Sequence, residues 1–131
     1  MAKKKILIID DEKDLCLGMK LNLERTGEYE VTMAYSGGEG LEIAKEAEFD
    51  LVITDFKMPG MNGDAVLDAL KEMRPHLPVV LLSIYHDDSS TITSSVKSKA
   101  DALVSKPIDK KKLYKIVKDT LAKRGQGSSN L

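Results

Sequence analysis

Short runs of apolar residues recur along this chain in the pattern of strands that are buried on both faces. Residues 6–9, 51–54 and 79–82 are continuous, mostly apolar and rich in β-branched side chains, which is typical of inner strands in a parallel sheet. Residues 30–34 instead alternate polar with apolar side chains, which indicates an edge strand with one solvent-facing side. Residues 101–105 predict a short fifth strand.

Segments with a helical spacing of apolar residues follow these strands. The first, third and fifth are defined by Leu15, Met19 and Leu23, by Val66, Leu67, Leu70 and Met73, and by Leu113, Ile116, Val117 and Leu121. The second begins at Ser36, with Glu39 three residues later, which is the signature of a capping box. The fourth, residues 87–99, is rich in hydroxyl side chains that compete for backbone hydrogen bonds, so we expect a helix of low intrinsic stability there.

The regular alternation of strand and helix predicts five βα units. Such units form a parallel sheet with helices on both faces, joined by right-handed crossovers. A chain of 131 residues, 42% of them hydrophobic, fits one domain with a single core. We therefore predict an α/β domain over residues 1–124 and a flexible tail or linker over residues 125–131, where glycine and serine predominate.

Charge and cysteine content exclude several other classes of protein. The net charge of −1 gives no electrostatic reason to expect contact with nucleic acid or with an anionic membrane. Cys16 is the sole cysteine, which excludes an internal disulfide and a metal site built from several cysteines. No apolar run has the length of a membrane span or of a signal peptide, so a cytoplasmic location is the expectation.

Polar side chains stand at the ends of four of the predicted strands. Asp10 and Asp11 follow the first, Asp55 the third, Ser83 the fourth and Lys106 the fifth. In a doubly wound sheet these ends converge on one crevice. Three converging carboxylates repel one another, which favours a hard divalent cation such as Mg²⁺. A lysine and a hydroxyl beside them suit a phosphoryl group, and a carboxylate that attacks phosphorus forms an acyl phosphate.

With these residues, the chain resembles the receiver domain of two-component response regulators over about residues 4–121. The features that carry the resemblance are the pair Asp10-Asp11, Asp55 with Met58-Pro59 and Met61-Asn62-Gly63 after it, Ser83, and Lys106-Pro107. The resemblance implies a flavodoxin-like fold, in which a doubly wound five-stranded parallel sheet of order 2-1-3-4-5 is combined with five helices.

The resemblance also implies a role for each of these residues. The ligands of Mg²⁺, or of Mn²⁺ in its place, are expected to be Asp11, Asp55 and the backbone carbonyl of Lys57, with Asp10 acting through water. Asp55 is the expected phosphoacceptor, and Ser83 and Lys106 are expected to hold the phosphoryl group. The Lys106–Pro107 peptide bond is expected to be cis, a form that X–Pro bonds adopt at low cost.

The implied function is that of a phosphorelay component. A sensor histidine kinase or a phosphotransfer protein is expected to supply the phosphoryl group, and the output surface is expected to switch through Ser83 and residues 84–99. The domain would catalyse only its own phosphorylation and dephosphorylation. A downstream effector domain or protein is the expected recipient of the signal, and a phosphorylation-dependent dimer is a further expectation.

Three positions depart from the usual receiver pattern. Ile84 follows Ser83 where a small residue is normal, Leu103 stands where the family often has an aromatic switch residue, and Lys99 replaces a glycine that usually precedes the fifth strand. Ile84 is expected to crowd the entry of the phosphoryl group. These departures leave the chemistry intact but put the usual description of the output switch in doubt.

Three other interpretations of the same residues remain open. Some aspartyl-phosphate-forming phosphatases have a second aspartate, a general acid, two residues after the nucleophile, but Lys57 occupies that position. A dinucleotide-binding oxidoreductase would follow its first strand with a glycine-rich turn rather than Asp10-Asp11-Glu12. A pseudo-receiver that takes no phosphate would be expected to lack one of the carboxylates, and none is missing.

Overall fold

The computed structural model describes residues 2–83 and 94–129. Within them, five strands alternate with five helices. The strands are β1 (Lys4–Ile9), β2 (Tyr29–Ala34), β3 (Leu51–Asp55), β4 (Val79–Ser83) and β5 (Ala102–Ser105). The helices are α1 (Lys13–Glu24), α2 (Gly37–Glu46), α3 (Gly63–Met73), α4 (Ser94–Lys99) and α5 (Lys110–Ser129). No helix in these two stretches is both long enough and apolar enough to cross a membrane.

The strands form one sheet in the order β2-β1-β3-β4-β5, and every neighbouring pair is parallel. The predicted flavodoxin-like topology is therefore confirmed. Ile9 of β1 lies opposite Thr54 of β3, and Asp55 lies opposite Leu82 of β4. This register brings the carboxyl ends of the three central strands to the same level at one edge of the sheet.

Hydrophobic residues cover both faces of the sheet, which explains why its inner strands are continuous apolar runs in the sequence. One cluster joins β1 to α1 and α5 and includes Ile6, Ile8, Cys16, Met19, Leu23, Leu113 and Val117. The other joins β1 to α2 and α3 and includes Leu7, Ile9, Ala44, Val66, Leu67 and Leu70. Successive residues of a strand point to opposite faces, so every position of the inner part of β1 is buried.

The boundaries of several elements differ from the sequence prediction. Strand β1 begins at Lys4 rather than at Ile6, because its first two residues pair with β2 through the backbone while their side chains stay exposed. Of the helix predicted over residues 87–99, the structure describes Ser94–Lys99, which is helical. The rest of that segment lies outside the described residues.

Two predictions on helix ends have different outcomes. The cap of α2 is confirmed, since the Ser36 hydroxyl accepts from the Glu39 N–H at 3.1 Å, while the Glu39 carboxylate accepts from the N–H of Tyr35 at 2.6 Å. Helix α5 continues to Ser129, so residues 125–129 are helical where the sequence predicted a flexible tail. Each glycine disfavours a helix interior by about 1 kcal/mol relative to alanine, so intrinsic propensity does not explain this extension. The domain boundary at residue 124 stays a prediction.

Gly63 places the start of α3 directly against the end of β3. Its N–H donates to the carbonyl oxygen of Phe56 at 2.5 Å. A Cβ atom at this position would lie 2.5 Å from the carbonyl oxygen of Asp55 and 2.7 Å from the Cα of Phe56. Because both neighbours are backbone atoms, no side chain can move aside to make room.

We expect Gly63→Ala to lower the free energy of unfolding by about 1–3 kcal/mol, the usual cost of forcing extra atoms into a packed site. Gly38→Ala is the matched control, because a Cβ there meets no atom within 4 Å. That variant should be unchanged or more stable, by at most about 1 kcal/mol. Urea unfolding of both variants provides the measurement, and equal midpoints would contradict the packing described here.

Candidate functional site

Three carboxylates converge at the carboxyl edge of the sheet. Asp10 directly follows β1, and Asp55 is the last residue of the neighbouring strand β3. One carboxylate oxygen from each of Asp10, Asp11 and Asp55 lies within 4.8 Å of the others. Asp10 is fully buried and Asp55 is 4% exposed, whereas Asp11 is more accessible. The predicted convergence of the acidic residues is therefore observed.

Lys106 brings a positive charge into this acidic cluster. Its backbone N–H donates to the carbonyl oxygen of Ser83 at 2.7 Å, which continues the pairing between β4 and β5 beyond the end of β5. Its side-chain Nζ lies 3.0 Å from Asp55 Oδ2 and 3.3 Å from Asp10 Oδ2. The side chain is 10% exposed. The Lys106–Pro107 peptide bond is cis, as predicted.

Glu12 is a residue of this site that the sequence analysis did not single out. Its Oε1 lies 3.3 Å from Lys106 Nζ. The sequence places Glu12 directly after the acidic pair, but it gives no direction for the side chain. Only the folded structure, which brings the residue after β5 to the loop that follows β1, reveals the contact.

The other predicted site residues lie at the same edge. Ser83 is the last residue of β4 and is 4% exposed. It follows Leu82, the residue that pairs with Asp55. Lys57 lies in the loop after β3 and its side chain is exposed. In that loop Gly60 has a φ of 82°, and the side-chain oxygen of Asn62 accepts from the N–H of Met58 at 3.2 Å. These two features stabilise a turn within the loop.

Burial and mutual repulsion perturb the charges of the site. Burial, followed by the negative charge of Asp10, raises the pKa of Asp55 from 3.8 to about 6, although Lys106 opposes the shift. Burial lowers the pKa of Lys106, but its contacts with Asp55, Asp10 and Glu12 outweigh this effect, so the net shift of that pKa is upward. The lysine therefore stays positively charged, while Asp55 is poised to bind a cation or a proton.

The acidic cluster has the properties of a divalent cation site. Asp10 Oδ2 is buried, and among the described residues it has no hydrogen-bond partner, only the ion pair with Lys106 at 3.3 Å. A buried acceptor of this kind is normally satisfied by an ion or by an ordered water. All the available ligand atoms are carboxylate oxygens, which suit Mg²⁺ and not a soft metal. The residues present therefore fit a magnesium ion.

The family model of the response regulator receiver domain matches residues 6–118 of the chain. The chain belongs to this family. Receiver domains act in two-component phosphorelays and bind Mg²⁺ in an acidic pocket, and they are not a family of catalytic enzymes. The match does not favour any of the three other interpretations of the sequence, namely a phosphatase, a dinucleotide-binding oxidoreductase or a pseudo-receiver.

Two bacterial regulators illustrate the relationship. The uncharacterized transcriptional regulatory protein YkoG of Bacillus subtilis is 31% identical over 131 residues, which are the whole of this chain and 57% of the relative. The transcriptional regulatory protein GlrR of Escherichia coli is 31% identical over 116 residues, which are 88% of this chain and 26% of the relative. The receiver thus spans little more than half of one relative and about a quarter of the other.

Solved structures support the same assignment. A response regulator receiver domain protein from Clostridium thermocellum is 34% identical with a TM-score of 0.85, over 94% of this chain and 98% of that chain. A CheY-like receiver domain protein from Methanospirillum hungatei is 30% identical with a TM-score of 0.87, over 96% and 99% of the two chains.

The three departures from the receiver pattern are placed as follows. Leu103 is 41% exposed on β5. Lys99, at the end of α4, forms an ion pair with Asp68 of α3 at 2.8 Å. Ile84 lies outside the described residues. A lysine in place of the usual glycine therefore ties α4 to α3.

The raised pKa of Asp55 predicts how stability depends on pH in the metal-free protein. Asp55 binds its proton more tightly in the folded state than in the unfolded state. Its contribution to the free energy of unfolding is therefore fully present below about pH 4 and is lost as the pH rises through about 6. Asp55→Asn should therefore raise the free energy of unfolding above pH 6, by up to about 3 kcal/mol, and have little effect near pH 4. Lys106 keeps two other carboxylate partners in this variant.

Urea unfolding from pH 4 to 8 in EDTA tests this expectation. Asp14→Asn removes an exposed carboxylate from the first turn of α1 and serves as the control. Its stability profile should run parallel to that of the wild type. If the Asp55→Asn profile were parallel as well, the repulsion assigned to Asp55 would be absent.

Proposed function

We propose that Asp55 accepts a phosphoryl group from a phosphohistidine of a sensor histidine kinase or a phosphotransfer protein. A carboxylate oxygen of Asp55 attacks phosphorus, the N–P bond breaks, and the imidazole leaves with its electron pair. The observation that carries the proposal is the convergence of three carboxylates with Lys106, whose Nζ lies 3.0 Å from Asp55 Oδ2. The domain promotes this transfer to itself and the later hydrolysis of its own acyl phosphate.

The proposed metal ligands are Asp11, Asp55 and the backbone carbonyl of Lys57, with Asp10 acting through a water molecule. When bound, Mg²⁺ or Mn²⁺ supplies positive charge that offsets the carboxylates and the oxygens of the phosphoryl group. The support for Asp10 is its buried Oδ2, which lacks a hydrogen-bond partner among the described residues. Asp10 Oδ1 accepts from the N–H of Glu12 at 3.0 Å, which fixes the orientation of the carboxylate.

Lys106 and Ser83 are proposed to hold the phosphoryl group once it is on Asp55. Lys106 donates to one phosphoryl oxygen and offsets its charge, and the hydroxyl of Ser83 donates to another. Both residues end adjacent strands, and they are linked by the bond from the Lys106 N–H to the Ser83 carbonyl. Through these two side chains the phosphoryl group is proposed to act on residues 84–99, which follow β4.

The output is proposed to be a population shift within residues 84–99. For such a shift the phosphoryl group must interact differently with the two conformations, and its proposed hydrogen bond from the Ser83 hydroxyl supplies this difference. Within that region α4 is short, and the Lys99–Asp68 ion pair holds its end to α3. The receiver domain is proposed to span residues 1–124 and to dimerise on phosphorylation. The recipient of its signal is an effector domain or a separate effector protein. The receiver itself contacts neither nucleic acid nor membrane.

We expect one phosphoryl group to be added to the wild type by acetyl phosphate with Mg²⁺, and none in EDTA. Asp55→Asn should abolish the mass increase, because it removes the nucleophile. Asp11→Ala should slow labelling by about tenfold or more, because it removes a metal ligand. Even residues that only hydrogen-bond to a metal ligand lower metal affinity or activity by about tenfold or more when they are mutated. Intact-mass spectrometry provides the measurement. Asp14→Asn should be labelled like the wild type, and full labelling of Asp55→Asn would rule out the assigned acceptor.

We also expect Mg²⁺ to stabilise the folded protein, because the ion binds a site that exists only in the folded state. The gain in the free energy of unfolding should be about 2.7 kcal/mol at a hundredfold excess over the dissociation constant. Urea unfolding with and without Mg²⁺ measures this gain. Asp11→Ala should lose most of it and Asp14→Asn should keep it. The same gain in Asp11→Ala would mean that the ion binds elsewhere.

A further inference from the structure

Glu12 is attached to the site at two points. Its backbone N–H donates to Asp10 Oδ1 at 3.0 Å, and its side-chain Oε1 lies 3.3 Å from Lys106 Nζ, although the two residues are 94 positions apart in the chain. Glu12 therefore connects a buried carboxylate of the loop after β1 to the lysine that follows β5.

The side chain of Glu12 makes this contact instead of serving its own helix. Glu12 is the N-cap residue of α1, and its side chain forms no hydrogen bond to the helix N–H groups. An N-cap residue usually uses a side-chain oxygen for that purpose. The carboxylate of Glu12 is thus available to Lys106.

Three carboxylate oxygens lie around the ammonium group of Lys106. The contact with Glu12 is a hydrogen bond, whereas Asp10 Oδ2 accepts none among the described residues. Asp55 Oδ2 lies at 3.0 Å, and Asp10 Oδ2 and Glu12 Oε1 each lie at 3.3 Å. A phosphoryl oxygen on Asp55 needs an N–H donor from Lys106. The N–H that is hydrogen-bonded to Glu12 is the one that we expect it to take.

Glu12 is the partner that can leave at the lowest cost. Its side chain is 61% exposed, whereas the side chain of Asp55 is 6% exposed and that of Asp10 is fully buried. A released Glu12 carboxylate is hydrated at once, while a released Asp10 would be left as an uncompensated buried charge. The exposure of Glu12 also places it on the solvent side of Lys106.

We propose that Glu12 is a positioning residue that holds Lys106 in the unphosphorylated protein and competes with the phosphoryl group for it. The competition slows phosphorylation of Asp55. This inference rests on the proposed function, because it assigns to Lys106 a contact with the phosphoryl group. It concerns which carboxylate Lys106 exchanges for that contact.

Removal of the competing charge should speed phosphorylation. In Glu12→Gln the amide oxygen is neutral and holds Lys106 more weakly, so the pseudo-first-order rate of labelling by acetyl phosphate at saturating Mg²⁺ should rise about two- to fivefold, the range for one partly exposed ion pair. Asp14→Asn makes the same change of charge two residues away. It should leave the rate at the wild-type value.

Glu12→Asp separates competition for Lys106 from simple repulsion of the anionic donor. This variant keeps the negative charge at the mouth of the site, but its side chain is one methylene shorter and an N-cap aspartate bonds its own helix. Competition predicts that Glu12→Asp is also faster than the wild type. A rate increase in Glu12→Gln with none in Glu12→Asp would overturn the proposal in favour of repulsion, and wild-type rates in both would overturn it outright.

A second measurement tests the contact without any phosphorylation. Urea unfolding in EDTA of the wild type, Glu12→Gln, Lys106→Met and the double variant forms a double-mutant cycle. The shift of the midpoint caused by Glu12→Gln should be smaller in the Lys106→Met background. Equal shifts in both backgrounds would overturn the contact, whatever the kinetics show.

The two experiments also distinguish this inference from the proposed function. If the wild type is labelled and Glu12→Gln is labelled at the same rate, the inference alone fails. If neither protein is labelled, the proposed function fails and the competition fails with it, even where the cycle detects the ion pair.

Discussion

The burial of two carboxylates side by side, at the ends of the adjacent strands β1 and β3, is the constraint on which the site depends. Asp10 and Asp55 repel each other, and Lys106 lies within 3.3 Å of both. The pKa of Asp55, raised by burial and by Asp10 to about 6, shows that the lysine offsets this cost only in part. The hydrophobic clusters on both faces of the sheet stabilise the fold against the remaining repulsion and hold the strand ends in register.

Lys106 also connects this cluster to the rest of the domain. Its backbone is bonded to the carbonyl of Ser83 at the end of β4, and its side chain reaches Glu12 at the start of α1. A phosphoryl group on Asp55, as proposed above, would change which carboxylates the side chain of Lys106 contacts.

The parts of the fold that follow from local chemistry were predictable from the sequence. Continuous apolar runs identify β3 and β4, and residues 101–105 predict β5. The carboxyl ends of parallel strands lie at one edge of the sheet, so Asp55 and Lys106 are expected in one crevice. Features set by backbone pairing or by tertiary contact were not predictable. Lys4 joins β1 through its pairing with β2, and the direction of the Glu12 side chain depends on Lys106, 94 positions away in the chain.

The most direct test of the account is to locate the phosphoryl group chemically in the wild-type protein. Borohydride reduces an aspartyl phosphate to homoserine, so treatment after labelling marks the acceptor permanently, and peptide mass spectrometry then reads its position. Asp55, the buried carboxylate 3.0 Å from Lys106 Nζ, should be the residue converted. Homoserine at Asp10 or Asp11, or at a carboxylate outside this cluster, would contradict the central claim.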